Sequence, residues 1–124
     1  MSVTKKILLI DDSKMVLSFH ANILRKHGFE CSCVENGFMA LEECLRKQFD
    51  LILTDINMPK MDGYEFTRKI REVLSYKEIP IIMISTEQEA QDKSKGMEAG
   101  ANVYIVKPVL PEDLIMHLKL LIGE

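Results

Sequence analysis

Four apolar runs in this chain each stop on residues that can do chemistry. Lys5-Lys6-Ile7-Leu8-Leu9-Ile10 ends at Asp11-Asp12, and Leu51-Ile52-Leu53-Thr54 ends at Asp55. Ile79-Pro80-Ile81-Ile82-Met83-Ile84 ends at Ser85, and Asn102 to Val106 runs into Lys107-Pro108. Asp55 taken singly, in Asp55-Ile56-Asn57-Met58-Pro59, is also ordinary turn chemistry. Three carboxylates brought together are not. Two unit charges about 4 Å apart repel by roughly 4 kcal/mol even at an effective dielectric near 20, so a shared site calls for a cation. A hard divalent ion, Mg²⁺ or Mn²⁺, suits carboxylates plus a backbone carbonyl, and neither thiolate nor imidazole is on offer there. With Lys107 and Ser85 alongside, such a pocket can hold the oxygens of a phosphoryl group while a carboxylate attacks its phosphorus.

The elements that must position these residues follow from the spacing of apolar positions. Short runs of bulky aliphatics, buried on both faces, read as strands of a parallel sheet. Between them the pattern turns helical. Ser13 reads as an N-cap, Val16, Phe19, Ile23 and Leu24 as the inner stripe of the first helix, and Gly28 as its stop. Phe29 to Val34 is a second, partly polar strand suited to an edge. After Asn36-Gly37 a second helix places Leu41, Cys44 and Leu45 inward.

Asp62 with Glu65 reads as a capping box for a third helix carrying Phe66, Ile70, Val73 and Leu74 on one face. Thr86 with Glu89 reads as another. The fourth helix, about Gln88 to Glu98, has only Ala90 and Met97 as clear apolar positions. It carries Gly96 at a cost of about 0.5–1 kcal/mol relative to Ala, which makes it the least stable of the set. Pro111 at the first helical position, with Leu114, Leu118, Leu121 and Ile122, completes a fifth.

Strands alternating with helices require parallel pairing through right-handed crossovers, hence a single doubly wound (βα)5 α/β domain of flavodoxin-like type. A strand order of 2-1-3-4-5 puts the reversal between strands one and three, which gathers the aspartates there. Unrelated turn residues would leave five coincidences at one sheet edge.

The 124 residues suit one domain spanning 1–124, with no room for a linker or second domain. With 16 Lys+Arg against 19 Asp+Glu, the formal charge of -3 argues against direct nucleic-acid binding. The four apolar residues after Lys6 are far short of a signal core or a membrane span, so a cytoplasmic location is expected. Cys31, Cys33 and Cys44 are an odd number with no export signal, and Cys31, Cys33 and His27 lack a fourth ligand for zinc. His20, His27 and His117 fall in helical surroundings with no ligating spacing.

Across nearly its whole length the sequence resembles a response-regulator receiver domain of the chemotaxis CheY type. The matching residues are Asp11-Asp12, Asp55 within Asp55-x-Asn57-Met58-Pro59-x-Met61-Asp62-Gly63, Ser85 after Ile-Ile-Met-Ile, Ala99-Gly100-Ala101, Tyr104 and Lys107-Pro108. The resemblance implies that Asp55 accepts a phosphoryl group from a sensor histidine kinase. It implies that Asp12, Asp55 and the Asn57 carbonyl ligate Mg²⁺ directly, with Asp11 acting through water, and that Ser85 and Lys107 contact the phosphoryl oxygens.

It further implies a cis Lys107-Pro108 bond and a switch in which the Tyr104 ring moves inward as Ser85 shifts. Asn57 and Glu87 would flank the phosphoryl group and tune its lifetime. Output would pass through the fourth helix, fifth strand and fifth helix to a flagellar switch, a phosphotransfer protein or another effector. The protein would be a monomer or a weak phosphorylation-dependent dimer. Val109, where many members carry an aromatic, and Leu110, in place of a capping Asp, depart from the pattern.

A small Mg²⁺-dependent phosphatase or phosphotransferase with an aspartyl-phosphate intermediate is the alternative. Such enzymes usually set nucleophile and acid as Asp-x-Asp on one strand end, whereas Asp11-Asp12 are adjacent here and Asp55 stands apart. A flavodoxin-like phosphate carrier would need a Ser/Thr/Gly-rich loop where the chain has two acids.

Overall fold

The structure, a computed structural model, describes residues 4–86 and 92–123. Each expected strand forms: β1 (Lys6–Ile10), β2 (Glu30–Val34), β3 (Leu51–Asp55), β4 (Ile81–Ser85) and β5 (Val103–Val106). All neighbours pair in parallel, in the order β2-β1-β3-β4-β5. Every residue of β3 and β4 is buried, as continuous aliphatic runs require, while the edge strands β2 and β5 are only partly covered.

Alternate residues feed two cores. Ile7, Leu9, Leu53 and Ile82 face Leu17, Leu24 and Leu114 on one side. Leu8, Ile10 and Ile52 face Cys44, Phe66 and Ile70 on the other.

The helices are α1 (Lys14–Lys26), α2 (Gly37–Arg46), α3 (Gly63–Ile70), α4 (Lys93–Ala99) and α5 (Pro111–Ile122). Their ends follow the cap chemistry. Ser13 accepts from the Val16 amide, Asn36 from Met39 and Asp62 from Glu65, and Gly28, at φ 88°, follows the α1 C-cap His27. Pro111 opens α5, and Leu110 gives it no side-chain cap. The Lys107-Pro108 bond is cis, as the resemblance implied.

Helix faces differ from the expected stripes. On α1 the buried residues are Leu17, His20, Ala21 and Leu24, while Phe19 is 51% exposed. The sheet-facing stripe is thus turned from the expected one, because a helix over a flat sheet buries one narrow row. On α2, Ala40 and Cys44 are buried but Leu45, about 100° further round the helix, is 74% exposed. α3 stops at Ile70. A 3₁₀ turn over Leu74–Tyr76 then swings Leu74 outward to 81% exposure and drops Tyr76 into the core, where its hydroxyl donates to the Lys47 carbonyl and accepts from the Phe49 amide.

On α4 the buried residues are Gly96 and Ala99, with Met97 turned outward. Gly96 therefore marks a close approach and not merely a weak helix position. Gln88, Glu89 and Ala90, and with them the second capping box and the expected start of the fourth helix, lie outside the described residues. On α5, Leu114 and Leu118 are buried as expected, joined by Ile115.

Candidate functional site

Strand register assembles the site. Ile10 pairs with Thr54, so the next residues, Asp11 and Asp55, emerge level on neighbouring strands. Asp55 pairs with Ile84, which brings Ser85 beside it, and Ser85 pairs with Val106, which brings Lys107 beside that. The Lys107 amide donates to the Ser85 carbonyl at 2.6 Å, continuing the ladder one residue past β5.

Asp11 and Asp55 are buried and Asp12 is exposed, and one carboxylate oxygen from each lies within 4.8 Å of the others. The Lys107 ammonium sits 3.2 Å from Asp55 Oδ1 and 3.3 Å from Asp11 Oδ2. The second Asp11 oxygen accepts from the Ser13 amide at 2.9 Å, which fixes that carboxylate at the entrance to α1. Burial, and then the charge of Asp11, push the Asp55 carboxyl up to about 6 against the opposing pull of Lys107. Burial works to lower the Lys107 ammonium, but Asp55 and Asp11 outweigh it and leave it raised. A group of three acids neutralised by one ammonium retains charge for a divalent cation, and an all-oxygen donor set suits a hard ion.

The loop after β3 is shaped to keep this geometry. The Gly63 amide donates to the Ile56 carbonyl at 2.9 Å, and a Cβ on Gly63 would stand 2.3 Å from the Asp55 carbonyl oxygen, so only glycine lets the chain return beneath the acid. Between them Lys60 adopts φ 72° and the Met61 amide bonds back to Pro59, while Met58 and Met61 anchor the loop in the core. Asn57 is exposed at the start of this loop.

Ser85 is fully buried. Its hydroxyl donates to the Thr86 carbonyl at 2.8 Å and accepts from the Tyr104 hydroxyl at 2.9 Å. Tyr104 is half-buried and packs with Ile56, Tyr64, Met83, Ala99 and Ala101, so its ring lies against α4 and β4 with the hydroxyl on Ser85. The structure thus gathers Asp11, Asp12, Asp55, Ser85, Lys107 and Tyr104 at one sheet edge. Glu87 lies outside the described residues.

Three contributors were not legible as site residues. His20 is buried on α1 and lines both the acid pocket and an open apolar groove of about 560 Å³ formed with Met15, Val16, Phe19, Pro108 and Val109. Burial lowers its imidazole below the usual range, with Asp11 opposing and Lys107 adding to the effect. Its place, one residue before Ala21 and four before Leu24 on the buried row, is the signal that marks it. Arg71 binds the carbonyls of Tyr76, Ile79 and Gly100 and the Asn102 side chain. Gly63 enters the sequence pattern only as part of a motif.

Fold and site define a class: doubly wound α/β domains with an acidic pocket at the carboxyl edge of the sheet. The chain belongs to the response regulator receiver domain family, whose model matches residues 7–119. It is similar to the transcriptional regulatory protein ResD of Bacillus subtilis, 37% identical over 117 residues, 94% of this chain and 48% of ResD. SrrA of Staphylococcus aureus is 32% identical over 120 residues, 97% of this chain and 48% of SrrA. The chain spans about half the length of these curated relatives.

Among solved structures, the chemotaxis response regulator CheY4 of Vibrio cholerae superposes with a TM-score of 0.90 at 34% identity, covering 96% of this chain and 99% of CheY4. The receiver domain of the sensor histidine kinase PA1611 from Pseudomonas aeruginosa, described with a magnesium ion in its active-site cleft, gives 0.90 at 30% identity and covers 98% of this chain and 100% of that one. No helix among the described residues is long and apolar enough to cross a membrane.

Proposed function

We propose that this receiver domain takes a phosphoryl group onto Asp55 from a sensor histidine kinase and passes the change to a partner. The observation that carries the reading is the ammonium of Lys107 held against Asp55 inside a three-carboxylate cluster. One carboxylate must be the nucleophile, and Asp55 is the member at the centre, flanked by β1 and β4. Asp12 and Asp55, with the Asn57 carbonyl, would hold a Mg²⁺ ion, with Asp11 supporting it from beside them. The magnesium described in the PA1611 domain supports that choice of ion. When bound, the ion offsets carboxylate repulsion and draws charge from the phosphoryl oxygens.

Transfer breaks the phosphorus–nitrogen bond of a phosphohistidine and forms a phosphorus–oxygen bond to Asp55. Lys107 and Ser85 take the phosphoryl oxygens, and Asn57 and Glu87 flank the group and set its lifetime. The apolar groove beside Lys107 is where the donor seats, because it shares His20 with the acid pocket and is lined by the same Lys107 that contacts Asp11 and Asp55. Ser85 moving toward the phosphoryl group carries Tyr104 with it through their hydrogen bond, and α4, β5 and α5 present the altered face.

We read the partner as a flagellar switch, a phosphotransfer protein or another effector, which the match to nearly all of CheY4 supports. The matches to half of ResD and SrrA support instead the same domain as one part of a transcriptional regulator.

Incubation with a small acyl phosphate and Mg²⁺ tests the chemistry. A mass gain of roughly 80 Da, one phosphoryl group replacing a proton, is expected on the wild type and not on Asp55→Asn. No adduct on the wild type sinks the reading, and continuous phosphate release with rapid turnover favours a phosphatase. A pull-down comparing phosphorylated with unphosphorylated protein identifies the partner.

A further inference from the structure

At Gly96, α4 presents bare backbone to side chains from β4 and β5. A Cβ there would stand 2.9 Å from Met83 Sδ, and 3.1 and 3.3 Å from Cδ2 and Cε2 of the Tyr104 ring. Gly96 lies within regular helix, so backbone conformation does not demand glycine; the close approach does.

Three groups could give way to an added methyl: the helix, the thioether or the ring. The C-terminal end of α4 is held. Arg71 donates from Nε and Nη2 to the Gly100 carbonyl at 3.0 and 2.8 Å and from Nη2 to Asn102 Oδ1 at 2.8 Å, while Asn102 Oδ1 accepts from the Ile81 amide at 2.9 Å. The Ala101 amide in turn bonds the Gly96 carbonyl at 3.2 Å, tying Gly96 to that anchored end one turn away. Met83 is a flexible side chain that can rotate its sulfur aside. The ring of Tyr104 is half-buried on an edge strand, has solvent on one side to move into, and is the bulkier of the two side chains in the way.

We infer that Gly96 is the positioning residue of the Ser85–Tyr104 pair: its bare backbone is the seat that lets the ring stay inward on Ser85 while α4 remains packed. A side chain at 96 drives the ring outward and uncouples Ser85 from α4. The inference rests on the reading of Ser85 and Tyr104 as the switch, and it concerns the protein before any phosphoryl group is added.

The test is fluorine NMR of the full chain labelled with 3-fluorotyrosine, with Tyr104 assigned by Tyr104→Phe. In Gly96→Ala the Tyr104 resonance is expected to shift and its solvent isotope effect to rise, with Tyr64 and Tyr76 unmoved. An unchanged Tyr104 resonance in folded Gly96→Ala overturns the inference. A second comparison uses melting temperature. Gly96→Ala is expected to lower it in the wild-type background and to leave it equal or higher in Tyr104→Ala, where the ring is gone, the Met83 thioether can rotate aside and Ala is the better helix former. An equal loss in both backgrounds, or failure of Gly96→Ala to fold in either background, overturns it as well. Adduct formation with acyl phosphate is read separately. Its absence from the wild type counts against Asp55 as acceptor, and the ring measurement still decides the role of Gly96.

Discussion

Lys107 Nζ lies 3.2 Å from Asp55 Oδ1, joining residues 52 positions apart across two strands of the sheet. The ammonium is placed by the strand ladder and drawn inward by Asp11 as well, so it competes directly with any cation that the carboxylates bind. Lys107→Ala removes a positive charge a few ångströms from the ion. It is expected to tighten Mg²⁺ binding several-fold or more, since even two unit charges about 4 Å apart in bulk water repel by about 1 kcal/mol and the ion is divalent, while slowing formation of the Asp55 adduct. Calorimetric titration with Mg²⁺ and adduct kinetics measure the two effects; weaker Mg²⁺ binding in the variant would contradict the geometry.

Asp55 sets a pH dependence. Its folded value of about 6 is above its ordinary 3.8, raised by burial first and then by Asp11. Below about 6 the cation must displace a proton, so the Mg²⁺ affinity is expected to be flat above pH 7 and to fall by up to about ten-fold per pH unit below 6. For the metal-free protein the sign is opposite to the usual carboxylate. A raised folded value contributes stability that is complete below 3.8 and is lost as pH rises through 6. In chelator, the advantage of Asp55→Asn over wild type in melting temperature is therefore expected to grow from pH 4 to 7, as read by thermal denaturation.

Arg71 joins the end of α3 to the α4–β5 turn and the approach to β4 through one guanidinium. Arg71→Ala leaves several carbonyls without their donor, and is expected to cost about 2–4 kcal/mol in urea denaturation. Arg71→Lys recovers little of this, because a single ammonium cannot span acceptors that the planar fork reaches together.

Gly63→Ala tests the loop beneath Asp55. The added Cβ meets backbone at 2.3 Å, which cannot rotate away, so the variant is expected to lose about 2–4 kcal/mol and to bind Mg²⁺ more weakly when folded. Chemical denaturation and Mg²⁺ titration at low temperature separate the two losses.

The cysteines are expected to differ in reactivity. Burial pushes the Cys31 and Cys44 thiols up to about 11 and raises Cys33 too, but Cys33 alone among the three is exposed, on the edge strand. Alkylation at pH 7.5 is expected to label Cys33 first, and all 3 thiols only after denaturation, as followed by mass spectrometry.

Much of the architecture was legible from local pattern. Ile7 to Ile10, Leu51 to Thr54 and Ile81 to Ile84 read as buried strands because aliphatic runs of that length have few other uses, and Ser13, Asn36 and Asp62 marked helix starts through a bond to the next turn. Phe19, Leu45 and Leu74 were misplaced because periodicity gives the spacing of a stripe but not which way it turns.

The sequence by itself determined the strand ends, and through them the polar residues gathered at one sheet edge: Asp11, Asp12, Asp55, Ser85 and Lys107. That follows because parallel strands joined by helices leave all their carboxyl ends on one edge. Only the tertiary structure decided that Arg71 clamps Gly100, that Gly63 must pass under Asp55, and that Gly96 seats the Tyr104 ring. Those contacts join residues from separate elements, as with Arg71 and Gly100 at 29 positions apart. They depend on distances of closest approach, which no spacing along the chain encodes.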